Sequence, residues 1–130
     1  MSRILDLAAA VAAALEDYSA EVLFIPEFDL KGTKGMRVIV VPAGTEFKAL
    51  SRGLDDERPC IHVGVLKRAS EDDVPSLVEF AQAMGKSFLH RRLAGMTCTG
   101  VAFDPVYSPT HLRDKGLFVS VMELTFQGAG

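Results

Sequence analysis

The stretch that most constrains the fold is residues 73–93, DVPSLVEFAQAMGKSFLHRRL. Val74, Leu77, Val78, Ala81, Met84, Phe88 and Leu89 recur at the i, i+3, i+4, i+7 spacing of an amphipathic helix and share one face. Glu79, Gln82, Lys86, His90 and Arg91 fall on the other side. Ser70 and Asp73 both suit the N-cap, the acidic 71–73 run complements the positive end of the helix dipole, and Pro75 fits the first turn. His90, Arg91 and Arg92, then Gly95, suit the end. Burying the stripe whole stabilises a fold by roughly 10 kcal/mol before entropy, at about 1.5–3 kcal/mol per large apolar side chain. Such a helix needs a surface to pack on, and most other apolar runs in the chain have the character of strands, so that surface is a sheet.

From the start of the chain, residues 2–17 form an Ala-rich helix with Ser2 as its cap and Ile4, Leu7 or Ala8, Val11 and Leu15 on one face. Asp6 inside the run, and that periodicity, favour a helix over a signal peptide. Residues 20–30, AEVLFIPEFDL, form a first strand that Pro26 bends or confines to an edge. The two glycines of 31–35, KGTKG, link it as a hairpin to MRVIVV at 36–41. CIHVGVL at 60–66 is a third strand, with Ile61, Val63 and Val65 on one face and Cys60, His62, Gly64 and Leu66 on the other. TCTGVAF at 97–103 is a fourth, where Cys98, Gly100 and Ala102 leave room for a close approach of the helix. The last, 117–127, carries Phe118, Met122, Leu124 and Phe126 on one face and Leu117, Val119 and Val121 on the other, so its first half is buried on both sides. Two polar, Pro- and Gly-punctuated stretches, 42–59 and 104–116, are expected to be long loops of the kind that often carry function. The order α-β-β-β-α-β-β predicts one α+β domain over 1–130. It is a two-layer sandwich, with two helices on one face of a mostly antiparallel or mixed sheet of about four to five strands.

Signals for catalysis are absent from the sequence. There is no phosphate-binding glycine loop, no GxSxG elbow and no HExxH. Cys60 and His62 share a strand face and could be joined by Cys98 and His90 or His111 around zinc, but the spacing matches no familiar zinc module, and cysteines in strands are more often core. The same pair lacks an orienting third group for nucleophilic chemistry. Cys60 and Cys98 read as two buried free thiols of a reducing compartment, with a single disulfide between them as the alternative. Asp55, Asp56 and Glu57, flanked by Arg52 and Arg58, read as an exposed solvated or partner-facing run. With 14 Lys and Arg against 17 Asp and Glu, no basic stripe marks a nucleic-acid binder, and no apolar run is long enough for a membrane helix. No enzyme activity, cofactor or metal is expected from these residues.

The succession of segments reaches further. It runs RVIVVPAGTEFKALSRG, RPCIHVGVLKR, the Val74-Pro75-Ser76-Leu77-Val78-Glu79 helix start, then Pro105-Val106-Tyr107-Ser108-Pro109-Thr110-His111-Leu112-Arg113 and the alternating strand 118–126. From about Met36 to Gln127, and in outline at the N-terminal helix, it resembles the tail terminator, or tail-to-head joining, proteins of long-tailed bacteriophages. The resemblance implies a structural virion protein at the neck, assembled in the host cytoplasm. Such a protein is a homo-oligomeric ring, typically a hexamer, that caps the tail tube and meets the head connector, while DNA passes through the lumen without specific binding. It implies contacts through the two long loops: Phe47, Lys48, Leu50, Arg52, Asp55, Asp56, Glu57 and Arg58 in the first, Tyr107, His111 and Arg113 in the second. Another neck protein, an adaptor or stopper, shares these features, and a small ligand- or metal-binding domain around Cys60, His62 and Cys98 is the reading from a different class.

Overall fold

The computed structural model describes the backbone of residues 3–26, 35–51, 54–103 and 106–129, and the side chains of these except 48–51, 54, 55 and 129. The expected cap Ser2 and most of the expected 31–35 turn lie outside the described residues. The elements run α1 (Arg3–Ala14), β1 (Glu21–Val22), β2 (Met36–Ser51), β3 (Leu54–Arg68), α2 (Val74–Lys86), β4 (Arg92–Leu93), β5 (Met96–Phe103), α3 (Pro109–Lys115) and β6 (Leu117–Ala129). This is an α+β fold. Among the described residues the sheet has six strands in the order β1-β2-β3-β6-β5-β4, mixed because β1 runs parallel to β2.

One face of the sheet carries the helices. Leu7, Ala8 and Val11 of α1, Leu15 just after it, Leu77 and Met84 of α2, and Phe88 beyond its end form one buried cluster. They pack with Val38, Val40, Ile61, Val63, Val65, Met122, Leu124 and Phe126 of the sheet, and Leu112 of α3 lies partly against it. The alternation seen in the sequence of the third and last strands therefore places the expected residues inward. The opposite face holds a smaller cluster of Ile39, Val41, Leu66, Leu117 and Val119, joined by the half-buried Leu23 and Val121. The start of β6 is thus buried on both sides, while Glu123 and Gln127 further along are exposed.

Three expectations are corrected. Residues 42–51 and 54–59 are strand, not loop: β2 and β3 pair antiparallel along their length, from Met36↔Lys67 out to Ser51↔Leu54. The pairing satisfies the backbone of a segment whose polarity and Pro42 suggested a loop. Breaks in register beside Gly44 and Ser51 absorb the irregularity. The register also sets Glu46 opposite Arg58 and Lys48 opposite Asp56. Second, the expected 104–116 loop contains α3. Ser108 caps it by accepting from the His111 backbone N–H, Pro109 takes the first turn, and Gly116 ends it at φ 61°. Third, the hairpin expected between the first two strands is excluded by their parallel pairing, Glu21↔Ile39 and Val22↔Val40.

The organising helix is shorter than its apolar stripe. A 3-10 turn over Glu71–Asp73, closed by a reciprocal Ser70–Asp73 capping box, leads into α2. The helix ends at Lys86, and Ser87 Oγ donates back to the Met84 carbonyl at 2.6 Å. His90, at φ 68°, turns the chain, and its backbone N–H donates to the Cys98 carbonyl. Arg92 and Leu93 then pair with Thr97 and Met96. Ala94 and Gly95, at φ 50° and 77°, make the two-residue turn that such a hairpin requires.

Candidate functional site

The two regions expected to make contacts lie at opposite ends of the sheet. The β2–β3 hairpin projects beside the C-terminal end of β6, where Asp56 pairs with Ala129. The α3 region sits at its N-terminal end, where the Ser108 backbone donates to the Val119 carbonyl. At about 3.4 Å per residue the stretch from Val119 to Ala129 holds the two regions roughly 34 Å apart.

On the hairpin, Phe47 is 64% exposed. Lys48 and Leu50 lie in β2 and Asp55 in β3, with side chains outside the described residues, as is the whole of Arg52. Asp56 and Glu57 do not form the exposed acidic run expected of them. Asp56 is 2% exposed and accepts from Arg58 Nε at 2.7 Å and from Gln127 Nε2 at 3.1 Å. Glu57 is buried with its carboxylate 4.0 Å from the Arg3 guanidinium. These carboxylates tie β3 to β6 and to α1. Strand pairing brings both of them against neighbouring elements, where a loop would have left them in solvent.

At the other end, Tyr107 and Arg113 line an open groove of about 520 Å³ between α3 and the start of α2, with Val74, Pro75, Pro109 and Leu112 as its apolar walls and Glu71 at the rim. His111 is engaged by the start of its own helix, with Nδ1 2.8 Å from Ser108 Oγ.

The third group beside Cys60 and His62 is not Cys98. Cys98 is fully buried in the helix-side cluster, on the other face of the sheet. A bulge at Thr99 shifts β5 by one residue, between Cys98↔Phe126 and Gly100↔Thr125. The close approach to the helix accordingly falls at Val101 and Phe103 and not at Gly100 or the exposed Ala102. What joins Cys60 and His62 is Glu123 of β6, directly opposite His62 in register, and the donor atoms of the three lie within 4.8 Å of one another. Glu123 Oε2 is 3.5 Å from His62 Nε2. Burial, with Glu123 accepting its hydrogen bond and repelling a thiolate, pushes the Cys60 thiol up to about 12. Burial also raises the Cys98 thiol, whose Sγ lies 3.5 Å from the Gly100 carbonyl oxygen. Both cysteines are free. Glu123 escaped sequence reasoning because its signal exists only after β3 and β6 are set in register.

The described elements define an α+β protein with helices on one face of a mixed sheet and a projecting hairpin. No protein-family profile matches the sequence, and no curated protein matches it. Among solved structures, the fold is similar to that of a chain in the virion of a native gene transfer agent (GTA) particle. The TM-score is 0.57 at 16% identity, over 98% of this chain and 96% of that one.

Proposed function

We propose that the protein is a structural component of a phage-like virion, acting at the head–tail junction as a tail terminator. The observation that carries this reading is the end-to-end fold likeness to a gene transfer agent virion chain, covering 98% of this chain. The segment order of the sequence supports the narrower assignment. In this reading the protein makes and breaks no bond, and its mechanism is assembly. Subunits associate head to tail and close into a ring, a hexamer if the resemblance to tail terminators carries over. The hairpin with exposed Phe47 supplies an apolar anchor of the kind that dominates interfaces. The separation of the hairpin from the α3 groove suits a ring that meets the tail tube on one side and the head connector on the other. A formal charge of −3 is compatible with a lumen through which DNA slides.

The test is native mass by light scattering over a concentration series, with electron microscopy of the protein alone and mixed with tail tubes. Rings in solution, or rings that form only on tube ends, support the proposal. A monomer at every concentration that leaves tube ends bare would overturn it. Rings that bind connectors but never tubes would reassign the protein to the adaptor or stopper role.

A further inference from the structure

The face of the sheet opposite the helices carries three different donor types at one point. Cys60 and His62 project from β3 two residues apart, and Glu123 projects from the neighbouring strand β6 at the position paired with His62. The two strands form the middle of the sheet, so the backbone beneath the donors is held by hydrogen bonds on both sides. In a tetrahedral zinc site, bond lengths of about 2.0 Å to nitrogen or oxygen and about 2.3 Å to sulfur put donor atoms about 3.3–3.5 Å apart. His62 Nε2 and Glu123 Oε2 already stand 3.5 Å apart. Cys60 Sγ lies within 4.8 Å of both. A side-chain movement of about 1 Å therefore closes the set to tetrahedral spacing. The donors are reachable: His62 and Glu123 are 40% and 48% exposed at the side chain, and Cys60 is half-buried. Beside His62 a small hollow of about 30 Å³, walled by Ile39, Val41, Gly64 and Val121, has room for one water-sized ligand.

We infer that Cys60, His62 and Glu123 bind a divalent ion of the zinc class, with the fourth coordination position open toward that hollow. Thiolate, imidazole and carboxylate together suit zinc or cobalt and are poorly matched to magnesium or calcium, which take oxygen. Binding exchanges the Cys60 proton for the metal and releases that proton to solvent. The ion clamps β3 to β6, and its open position can take a ligand from outside the chain. The inference is independent of the head–tail reading, because it concerns a site within one subunit.

The test uses the full-length protein, reduced and freed of metal with a chelator, then titrated with Co²⁺ and, in competition, Zn²⁺. The expected result is one cobalt per chain, a near-ultraviolet thiolate-to-cobalt band, the intense visible bands of tetrahedral cobalt, and displacement by zinc. Cys60→Ala should abolish the band, and Cys98→Ala should leave it unchanged. His62→Ala and Glu123→Gln, at exposed side chains that leave the core intact, should each weaken binding by about tenfold or more. Absence of a thiolate band in the folded wild-type protein overturns the inference. So does a band that survives Cys60→Ala, or one indifferent to both His62→Ala and Glu123→Gln.

Discussion

Gly85 of α2 lies against Phe103 of β5 so closely that a Cβ on the glycine would stand 2.9 Å from the Phe103 Cζ, and equally close to a Val101 methyl. At this point the helix backbone comes close enough to the sheet to leave no room for a side chain. In an exposed helix, Gly→Ala would be favourable by about 1 kcal/mol. Here overpacking opposes it by about 1–3 kcal/mol. Gly85→Ala is therefore expected to destabilise by about 1 kcal/mol in denaturant unfolding, and Val101→Ala in the same chain should recover part of the loss. A stabilised Gly85→Ala would show that the sheet edge yields freely.

Asp56 links neighbouring strands, accepting from Arg58 and Gln127 while almost wholly buried. Removing the carboxylate leaves those donors short of an acceptor. Hydrogen bonds to a charged group are worth about 1.5–3 kcal/mol, and Arg58, which is half-exposed, recovers some solvation. Asp56→Ala should lower stability by about 2 kcal/mol and speed hydrogen exchange at the end of β6. A change within about 0.5 kcal/mol would return Asp56 to the solvated surface role suggested by its neighbours in sequence.

Ser120 lies fully buried between Val119 and Val121 with no hydrogen-bond partner for its hydroxyl among the described residues. An unsatisfied buried hydroxyl is unfavourable by about 1–3 kcal/mol, while Ala at this site removes little volume. Ser120→Ala is expected to be neutral or to raise stability by up to about 1 kcal/mol, read as the denaturant midpoint at unchanged m value.

The Cys98 thiol is raised above its ordinary 9.0 by burial. An unfolded chain therefore loses this proton above about pH 9 while the folded chain keeps it, so the unfolded state binds fewer protons and stability falls as pH rises. Below about pH 9 the contribution is fully present; above it the slope from this thiol reaches about 1.4 kcal/mol per pH unit until the folded thiol itself ionises. Cys98→Ala should make that alkaline limb shallower by this thiol's share, leaving the share of Cys60, whose thiol is raised as well, measured as urea midpoints from about pH 7 to about 10.5. An unaltered limb would place the alkaline sensitivity elsewhere.

The elements readable from sequence are those whose patterning is written in apolar residues: Ile61, Val63 and Val65, or Phe118, Met122, Leu124 and Phe126, announce both a strand and its inward face. The hairpin of β2 and β3 is not readable this way. Its outer half carries Glu46, Lys48, Asp55 and Asp56, and it holds its shape through cross-strand backbone pairing that leaves no hydropathy trace. The seven-residue α3 is too short for a periodicity signal, although its cap, Pro109 and Gly116 are the local marks of a helix. The end of α2 is followed by His90 turning back to Cys98, a contact that the unbroken apolar stripe hides. The donor cluster is half legible, since Cys60 and His62 share a face by spacing alone. Its third member depends on which strand lies next to β3, and sequence order points to Cys98 on the fourth expected strand instead of Glu123 on the last.

Phe47 is the residue through which the assembly reading is most directly tested. It stands 64% exposed on the projecting hairpin, opposite Glu57 in register. A large aromatic ring held in water on a paired strand has little to contribute to its own fold. As an anchor in a neighbour's pocket it can contribute about 2 kcal/mol or more. Removing 49–57 would also remove the buried Asp56 and Glu57, confusing folding with association, so a single substitution is the cleaner probe. Phe47→Ser is expected to leave unfolding within about 0.5 kcal/mol of wild type and to weaken ring formation, or addition to tail tubes, by about 30-fold or more. Unimpaired assembly by a folded Phe47→Ser protein would move the interface off the hairpin, and Tyr107 and Arg113 in the groove at the far end of the sheet would be the next positions to substitute.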